Sequence, residues 1–189
     1  EVQTMQNQVF DGLFGVFNDS LPDAWGRLLL DRSLRSQGLN PRSITVLDRL
    51  ACVGSQGMGA LCYEPELQQY DDVSNFDLDE LATNAKLVLD ASPEAAIEDL
   101  LALNASSSGA RPKIITDQWL IKFPSEQDPE DIALIEYAYS LMAKQAGIEM
   151  SETRIFEAKQ GPGYFATRRF DRQDGQALHM HTASGLLGA

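Results

Sequence analysis

The chain has 189 residues, 43% of them hydrophobic, and a formal net charge of -13. This length and composition are typical of a globular protein with a buried core, in one large domain or two small ones, and they exclude a disordered chain. The negative charge would repel a phosphate backbone, so we do not expect direct nucleic-acid binding by this chain.

Three further features limit the class of protein. No apolar run reaches the roughly 18 residues of a membrane helix, and the start EVQTMQNQVF has no signal-peptide pattern, so we expect a cytoplasmic protein without a membrane segment. Cys52 and Cys62 are too few for a disulfide framework and form no metal-site pattern, so we expect reduced core thiols. The chain begins with Glu and ends without the composition of a tail, which favours a piece of a longer protein.

The acidic residues are unevenly distributed. Residues 64–100 contain eleven acidic residues and one basic residue, whereas residues 101–189 contain eleven and nine. The acidic segment could contact a partner, but a plain solvated face is the simpler interpretation.

The first part of the chain predicts two helices. One helical pattern begins at Ser20 and ends at Gly38, and a second, shorter one begins at Ser43. The residues expected to face inward are Leu21, Trp25, Leu28 and Leu29 in the first helix and Val46, Leu47 and Leu50 in the second.

The segment that follows mixes several kinds of element. The glycine-rich stretch 54–59 is unsuited to a helix and leads into a predicted short strand at 60–63, followed by an acidic connector at 64–75. Asp77 is predicted to cap a helix that ends near Leu89, and Ser92 with Pro93 is predicted to open another that ends near Leu103.

The second half predicts two β-hairpins separated by a helix. Residues 113–116 and 119–123 form the first hairpin, a helix extends from Asp128 to Gly147, and strands at 153–157 and 164–168 form the second hairpin. The stripe of this helix that we expect to face inward is Ile132, Ile135, Tyr139, Met142 and Ala146.

The sequence also contains candidate residues for a nucleotide site. Such a site requires free backbone N–H groups and a fixed cation beside the phosphates. Residues 106–110 (Ser-Ser-Ser-Gly-Ala) are small, and Arg111 and Lys113 flank them. Taken alone, this stretch is more simply interpreted as a flexible linker between two subdomains.

Lys122 is a more specific signal. It lies within an apolar strand and shares a face with Leu120, so it either points to solvent or faces an anion. Glu136 lies on the next helix at the border of the inward stripe, where a carboxylate needs a partner. We therefore predict a Lys122–Glu136 ion pair that holds the ammonium group for phosphate oxygens, as the Lys–Glu pair of protein kinases does.

At this point the sequence resembles the HipA-like serine/threonine kinases, which are toxins of toxin-antitoxin systems. The resemblance rests on an ordered set of motifs that spans about residues 10 to 185, and its most specific part is Arg-Arg-Phe-Asp-Arg at 168–172, where the family pattern reads Glu-Arg-Phe-Asp-Arg. The other motifs are Leu21-Pro22, the 57–60 stretch, Gly109-Ala110 with Lys113, Ile121 to Pro124, and Glu136.

The resemblance implies roles for individual residues in ATP binding. Ser108, Gly109, Ala110, Arg111 and Lys113 would belong to the loop over the phosphates. Lys122 would contact the α- and β-phosphates, oriented by Glu136. The main chain at Arg168, Arg169 and Phe170 would read the adenine edge, and Arg168 replaces the usual glutamate there. Ser106 would be the autophosphorylation serine, although Ser107 and Ser108 leave that choice open.

The resemblance also implies what this chain lacks. The catalytic base and the metal-binding residues of such kinases lie downstream of 168–172, so we predict no catalytic residue within the chain and no activity of the chain alone. Mg²⁺ ligands are expected outside it. His179 and His181 alternate along an apparent extended segment, but nothing completes a metal site, so we interpret them as ordinary residues.

The sequence therefore predicts an α+β fold in two parts. Residues 1–103 would form a mainly helical N-terminal subdomain, and residues 104–189 a kinase-like N-lobe with an antiparallel sheet and one packed helix. The implied function is the ATP-binding part of a toxin kinase that phosphorylates serine or threonine of a protein target and is neutralised by a DNA-binding, HipB-like antitoxin. Two alternatives stay open: a non-catalytic partner-binding or regulatory module, and a small-molecule kinase.

Overall fold

The computed structural model describes residues 9–67, 76–103 and 109–188. Within these ranges the chain has a mixed α/β architecture with seven α-helices, a four-stranded antiparallel sheet and a separate two-stranded one. The predicted combination of helices with an antiparallel sheet is therefore confirmed. None of the helices in these ranges has both the length and the apolar character needed to cross a lipid bilayer.

The N-terminal helices are α1 (Gly15–Asn18), α2 (Ala24–Ser36) and α3 (Val46–Val53), with short 3-10 turns at Val9–Gly12 and Pro41–Ser43. Helix α2 begins after Asp23, whose side chain accepts a hydrogen bond from the Ala24 N–H. It therefore starts later than the Ser20 that the sequence predicted. Gly38 has a φ of 79°, a conformation that glycine adopts at low cost and that stops the helix as expected.

Helix α3 begins at a capping box formed by Thr45 and Asp48. Leu50 is buried as predicted, but Leu47 is 66% exposed, so its predicted inward orientation is wrong. Arg49, Leu50 and Val53 occupy the buried side instead, where Arg49 forms an ion pair with Asp31 of α2 at 2.9 Å.

The predicted strand at 60–63 does not form, because no neighbouring strand in the described ranges pairs with it. The Tyr63 N–H instead donates to the carbonyl of Gly54, 3.1 Å away, and closes a loop. Most of the predicted acidic connector, residues 68–75, lies outside the described residues.

Helix α4 (Leu78–Leu89) starts after Asp77 as predicted, and Asp77 accepts the capping hydrogen bond from the Asp79 N–H. The next helix, α5 (Glu98–Ala102), is shorter than predicted. Ser92 does not open it, because the Ser92 hydroxyl accepts a hydrogen bond from the Glu94 N–H in a local turn.

Both predicted hairpins are present. Strands β1 (Lys113–Ile115) and β2 (Trp119–Lys122) form the first, and β3 (Thr153–Phe156) and β4 (Tyr164–Arg168) form the second. Strand β2 pairs with β4, which gives the order β1-β2-β4-β3. A small hairpin of β5 (Arg172–Gln173) and β6 (Gln176–Ala177) and the short helix α7 (Ala183–Leu187) were not predicted.

Helix α6 (Ile132–Gln145) connects the two hairpins, and its predicted inward stripe is wrong beyond Ile132 and Ile135, which are half-buried. Tyr139 is 66% exposed and Met142 is 60% exposed, whereas Ala133 and Ser140 are buried. The Ser140 hydroxyl lies 2.8 Å from the Thr153 hydroxyl on β3, a polar contact that hydrophobic periodicity does not detect. The helix is therefore rotated so that Glu136 lies on the face toward the sheet.

One hydrophobic core joins the helices to one face of the sheet. It combines residues of α2, α4 and α5 with residues of β1, β2 and β4. Ile114, Ile121 and Ala166 form a row across these strands and are all buried. The core continues across the predicted boundary at residues 103 and 104, and the division into two subdomains stays a prediction.

A pair of leucine substitutions tests this packing. Leu29 in α2 is fully buried, whereas Leu47 in α3 is 66% exposed. We expect Leu29→Ala to lower the free energy of unfolding by about 2–5 kcal/mol, because it leaves a cavity in the core. Leu47→Ala should change it by less than about 0.5 kcal/mol. Denaturant unfolding measures both values, and similar losses in the two variants would contradict the packing described.

Candidate functional site

Lys122 and Glu136 form the ion pair that the sequence predicted. Lys122 Nζ lies 3.0 Å from Glu136 Oε1, and the side chains are 33% and 24% exposed, so the pair is partly shielded from solvent. The ammonium group also lies 5.4 Å from the centroid of the Phe165 ring on the neighbouring strand. Strand β2 and helix α6 thus hold the Lys122 ammonium group in a defined position beside the sheet.

Lys113 is a second cation on the same face of the sheet. It is the register partner of Lys122 across β1 and β2, and only 4% of its surface is exposed. Burial, together with the charge of Lys122, lowers the pKa of Lys113 to about 8, while Asp23 and Glu136 act in the opposite direction. The face therefore concentrates positive charge at one end of the hairpin in a chain that is acidic as a whole.

The short segment 109–113 is attached to the start of helix α2. The Gly109 N–H donates to Asp23 Oδ2 at 2.9 Å, and the indole N–H of Trp25 donates to the Lys113 carbonyl at 3.0 Å. Lys113 Nζ donates to the carbonyl of Gly109 at 3.1 Å. Gly109 has a φ of 94°, which favours glycine at this position.

The other members of the predicted loop divide into two groups. Arg111 forms an ion pair with Asp128 at 2.6 Å, so its guanidinium group is directed toward the segment before α6. Ala110 lies next to Gly109 in the described part of the loop. Ser106 and Ser108, the predicted phosphorylation and loop residues, lie outside the described residues.

A cavity of about 140 Å³ opens beside the Lys122–Glu136 pair. Its walls come from β2, the first turns of α6, and the loop between β3 and β4. Residues that line it include Arg111, Lys122, Ala133, Glu136, Gly163 and Phe165. The cavity brings Arg111, Lys122 and Glu136 together from the predicted site, while 168–170 lie at the far end of β2.

The Arg-Arg-Phe-Asp-Arg stretch forms a buried ionic network. Asp171 is fully buried, and Arg169 contacts both of its carboxylate oxygens, at 2.9 and 2.7 Å. Arg172 Nη1 and the Gly59 N–H each donate to Asp171 Oδ2 at 2.8 Å. Burial alone would raise the pKa of the Asp171 carboxyl, but these hydrogen bonds and the two positive charges hold it below its ordinary value.

This network fastens three segments together. Arg172 donates to the carbonyls of Gly57 and Gly59, and Arg169 donates to the carbonyl of Thr116 in the turn between β1 and β2. The end of β4 is therefore joined both to the first hairpin and to the glycine-rich stretch 57–59. The sequence marked these residues only as part of the 168–172 motif, and it did not predict that Asp171 is buried.

The main chain at 168–170 has fewer available donors than predicted. The Arg168 N–H donates to the Glu152 carbonyl and the Arg169 N–H to the Gln118 carbonyl, both at 2.8 Å. Among the described residues the Phe170 N–H has no hydrogen-bond partner, and the Phe170 side chain is 62% exposed. The Arg168 guanidinium group lies 3.5 Å from Glu152 on the surface.

The histidines and cysteines have no place in this site. His181 Nδ1 lies 2.7 Å from Asp19 Oδ2, which joins the segment before α7 to the segment after α1. Cys62 is exposed rather than in the core as predicted, because no strand forms around it, while Cys52 is buried. No group of three or more His, Cys, Asp or Glu residues in the described ranges could hold a metal ion.

The buried network predicts a large effect of removing one charge. We expect Asp171→Asn to lower the free energy of unfolding by at least about 3 kcal/mol, because two partly or fully buried arginines lose their counter-ion. Asp174→Asn, an exposed position three residues away, is the matched control and should change little. If thermal and denaturant unfolding gave the two variants the same stability, the network would have no structural role.

Comparison with known families identifies the chain. The model of the HipA N-terminal domain matches residues 2–64, and the model of the HipA-like C-terminal domain matches residues 105–189. The two matches follow one another along the chain and together cover most of it. No curated protein and no solved structure gives a significant match. The resemblance seen in the sequence is confirmed, and the chain belongs to the HipA-like family.

Proposed function

We propose that this chain forms the ATP-binding part of a HipA-like toxin, a protein serine/threonine kinase. The observation that carries the proposal is the partly buried Lys122–Glu136 pair, which fixes an ammonium group beside a cavity and next to a second lysine, Lys113. A fixed cation with an acidic partner on the adjacent helix is the arrangement by which kinases hold ATP phosphates. The order of loop, hairpin, helix and hairpin supports a kinase-like N-lobe.

The residues beside the cavity suit part of a nucleotide, mainly in charge. The partly exposed Lys122 supplies positive charge beside the cavity, and the buried Lys113 adds to it from the neighbouring strand, as an anionic triphosphate requires. The cavity of about 140 Å³ is smaller than pockets that enclose whole ligands, so we expect it to take only part of the nucleotide. The rest would lie along the sheet toward the exposed Phe170 at the other end of β2.

Each residue has a distinct role in this proposal. Lys122 would contact the α- and β-phosphates, and Glu136 would hold its ammonium group in place. Segment 109–113 would cover the phosphates, with Lys113 as a second cation. Because the N–H groups of Arg168 and Arg169 are already used within the sheet, we assign the main-chain donor for the adenine edge to Phe170.

ATP would supply the phosphoryl group that is transferred to a serine or threonine hydroxyl of the protein target. On the resemblance to kinases of this family, we propose that the Mg²⁺ ligands and the catalytic base come from outside residues 1–189. On this proposal, the chain alone binds nucleotide weakly and transfers no phosphate.

The same proposal includes a partner, a HipB-like antitoxin that binds DNA and neutralises the toxin in the cytoplasm. The net charge of -13 makes direct DNA binding by this chain unfavourable, so contact with DNA would pass through the antitoxin. A cellular protein would be the phosphorylation substrate.

A non-catalytic partner-binding module is the second candidate function. One observation favours it: within the described part of the chain, helix α6 exposes the apolar side chains of Leu134, Tyr139, Leu141 and Met142, a surface on which a partner could pack. Nucleotide binding distinguishes the two candidates, because the module would not require it.

Substitution of Lys122 tests the proposal. In the full-length protein, Lys122→Ala should raise the Kd of Mg²⁺-ATP by about tenfold or more, because a hydrogen-bonded charge on the phosphates is lost. Glu136→Gln should raise it less, since the lysine stays but loses its partner. Isothermal titration calorimetry measures these values.

Lys144→Ala is the matched control for this experiment. Lys144 is an exposed lysine near the end of α6, so its removal should leave the Kd unchanged. An equal Kd in wild type and Lys122→Ala would overturn the site, and no binding by wild type would favour the partner-binding module.

A further inference from the structure

The first turn of helix α2 contacts both ends of the segment 109–113. Asp23 uses its two carboxylate oxygens for different purposes: Oδ1 accepts from the Ala24 N–H at 2.8 Å and caps the helix, while Oδ2 accepts from the Gly109 N–H at 2.9 Å. One carboxylate thus connects the N-terminal helix to a loop 86 residues away in sequence.

Trp25 strengthens the same connection. Its side chain is 1% exposed, its indole N–H donates to the Lys113 carbonyl at 3.0 Å, and its backbone N–H lies 3.4 Å from the Gly109 carbonyl. A fully buried indole cannot shift without disturbing the core. The first turn of α2 therefore presents a rigid edge on which the loop rests.

Gly109 in turn contacts the Lys113 ammonium group. Lys113 Nζ donates to the Gly109 carbonyl at 3.1 Å, and a Cβ atom added to Gly109 would come within 3.3 Å of that nitrogen. Asp23 also acts on this ammonium group through its negative charge. A movement of Gly109 away from Asp23 would therefore displace Lys113 from its place opposite Lys122.

We propose that Asp23 is a positioning residue that holds Gly109 and, through it, the buried Lys113 ammonium group beside Lys122, so that both positive charges act on the triphosphate. The inference rests on the proposed ATP-binding function. Asp23 itself does not touch the nucleotide in this scheme, because a carboxylate would repel phosphate oxygens. Since Asp23 already accepts the Gly109 N–H, that N–H serves loop placement, and the direct phosphate contact falls to Lys122.

Asp23→Ser separates the two roles of this carboxylate. Serine caps helices about as well as aspartate, so α2 should keep its start and the protein its melting temperature within a few degrees. The shorter side chain lacks the second oxygen that accepts from Gly109. Asp23→Asn keeps the length and one acceptor oxygen, so it should restore part of what serine loses.

The experiment uses the full-length protein and two readouts. Hydrogen exchange of peptides that cover 109–113, measured without nucleotide, reports loop order directly. Titration with Mg²⁺-ATP reports affinity. We expect Asp23→Ser to exchange faster at 109–113 and to raise the Kd by about tenfold, with Asp23→Asn intermediate. Asp77→Ser, at the cap of α4, is the control that should change neither value.

The outcomes separate the failure of this inference from the failure of the proposed function. If exchange at 109–113 is unchanged in Asp23→Ser, the positioning role is wrong whatever the ATP affinity. If Asp23→Ser exchanges faster at 109–113 but binds Mg²⁺-ATP with the same Kd as wild type, Asp23 orders the loop but does not position it for the nucleotide. If wild type binds no ATP, both the proposed function and the purpose assigned to Asp23 are overturned, even where exchange shows that Asp23 orders the loop.

Discussion

The packing of helix α2 against one face of the four-stranded sheet is the constraint on which the rest of the structure depends. Ile114, Ile121 and Ala166 lie in one row across three strands and are buried in the core that includes Trp25 of this helix. Because side chains alternate along a strand, the same pairing places Lys113 and Lys122 together on the opposite face. Burial of one row of side chains thus places two positive charges side by side, of which Lys122 is partly exposed and Lys113 is buried.

The N-terminal part of the chain holds both ends of this candidate site. At one end, the first turn of α2 fixes segment 109–113 through Asp23 and Trp25. At the other end, Arg172 and Asp171 join the end of β4 to Gly57 and Gly59. A partner that moved the N-terminal helices would therefore act on the loop and on residues 168–170 together, which gives a physical route from antitoxin binding to nucleotide binding in the proposed system.

The sequence predicted features that depend on local pattern and missed those that depend on tertiary contacts. Alternation and turn residues located both hairpins, and Asp77 located the start of α4. Leu47 and Met142 were wrongly assigned to buried faces, because apolar periodicity alone does not show which side of a helix meets the core. The Lys122–Glu136 pair was predictable because a charge within an apolar pattern needs a partner. The second contact of Asp23 and the burial of Asp171 join distant segments, and no local signal marks them.

The proposed function requires a nucleotide to bind on the lysine-bearing face of the sheet. Hydrogen exchange of the full-length protein with and without Mg²⁺-ATP tests it most directly, because it locates the contact without assuming which residue makes it. We expect protection to concentrate in peptides that cover 109–123, the first turns of α6 and residues 168–171. Protection confined to other parts of the chain, or none at a saturating concentration, would contradict it.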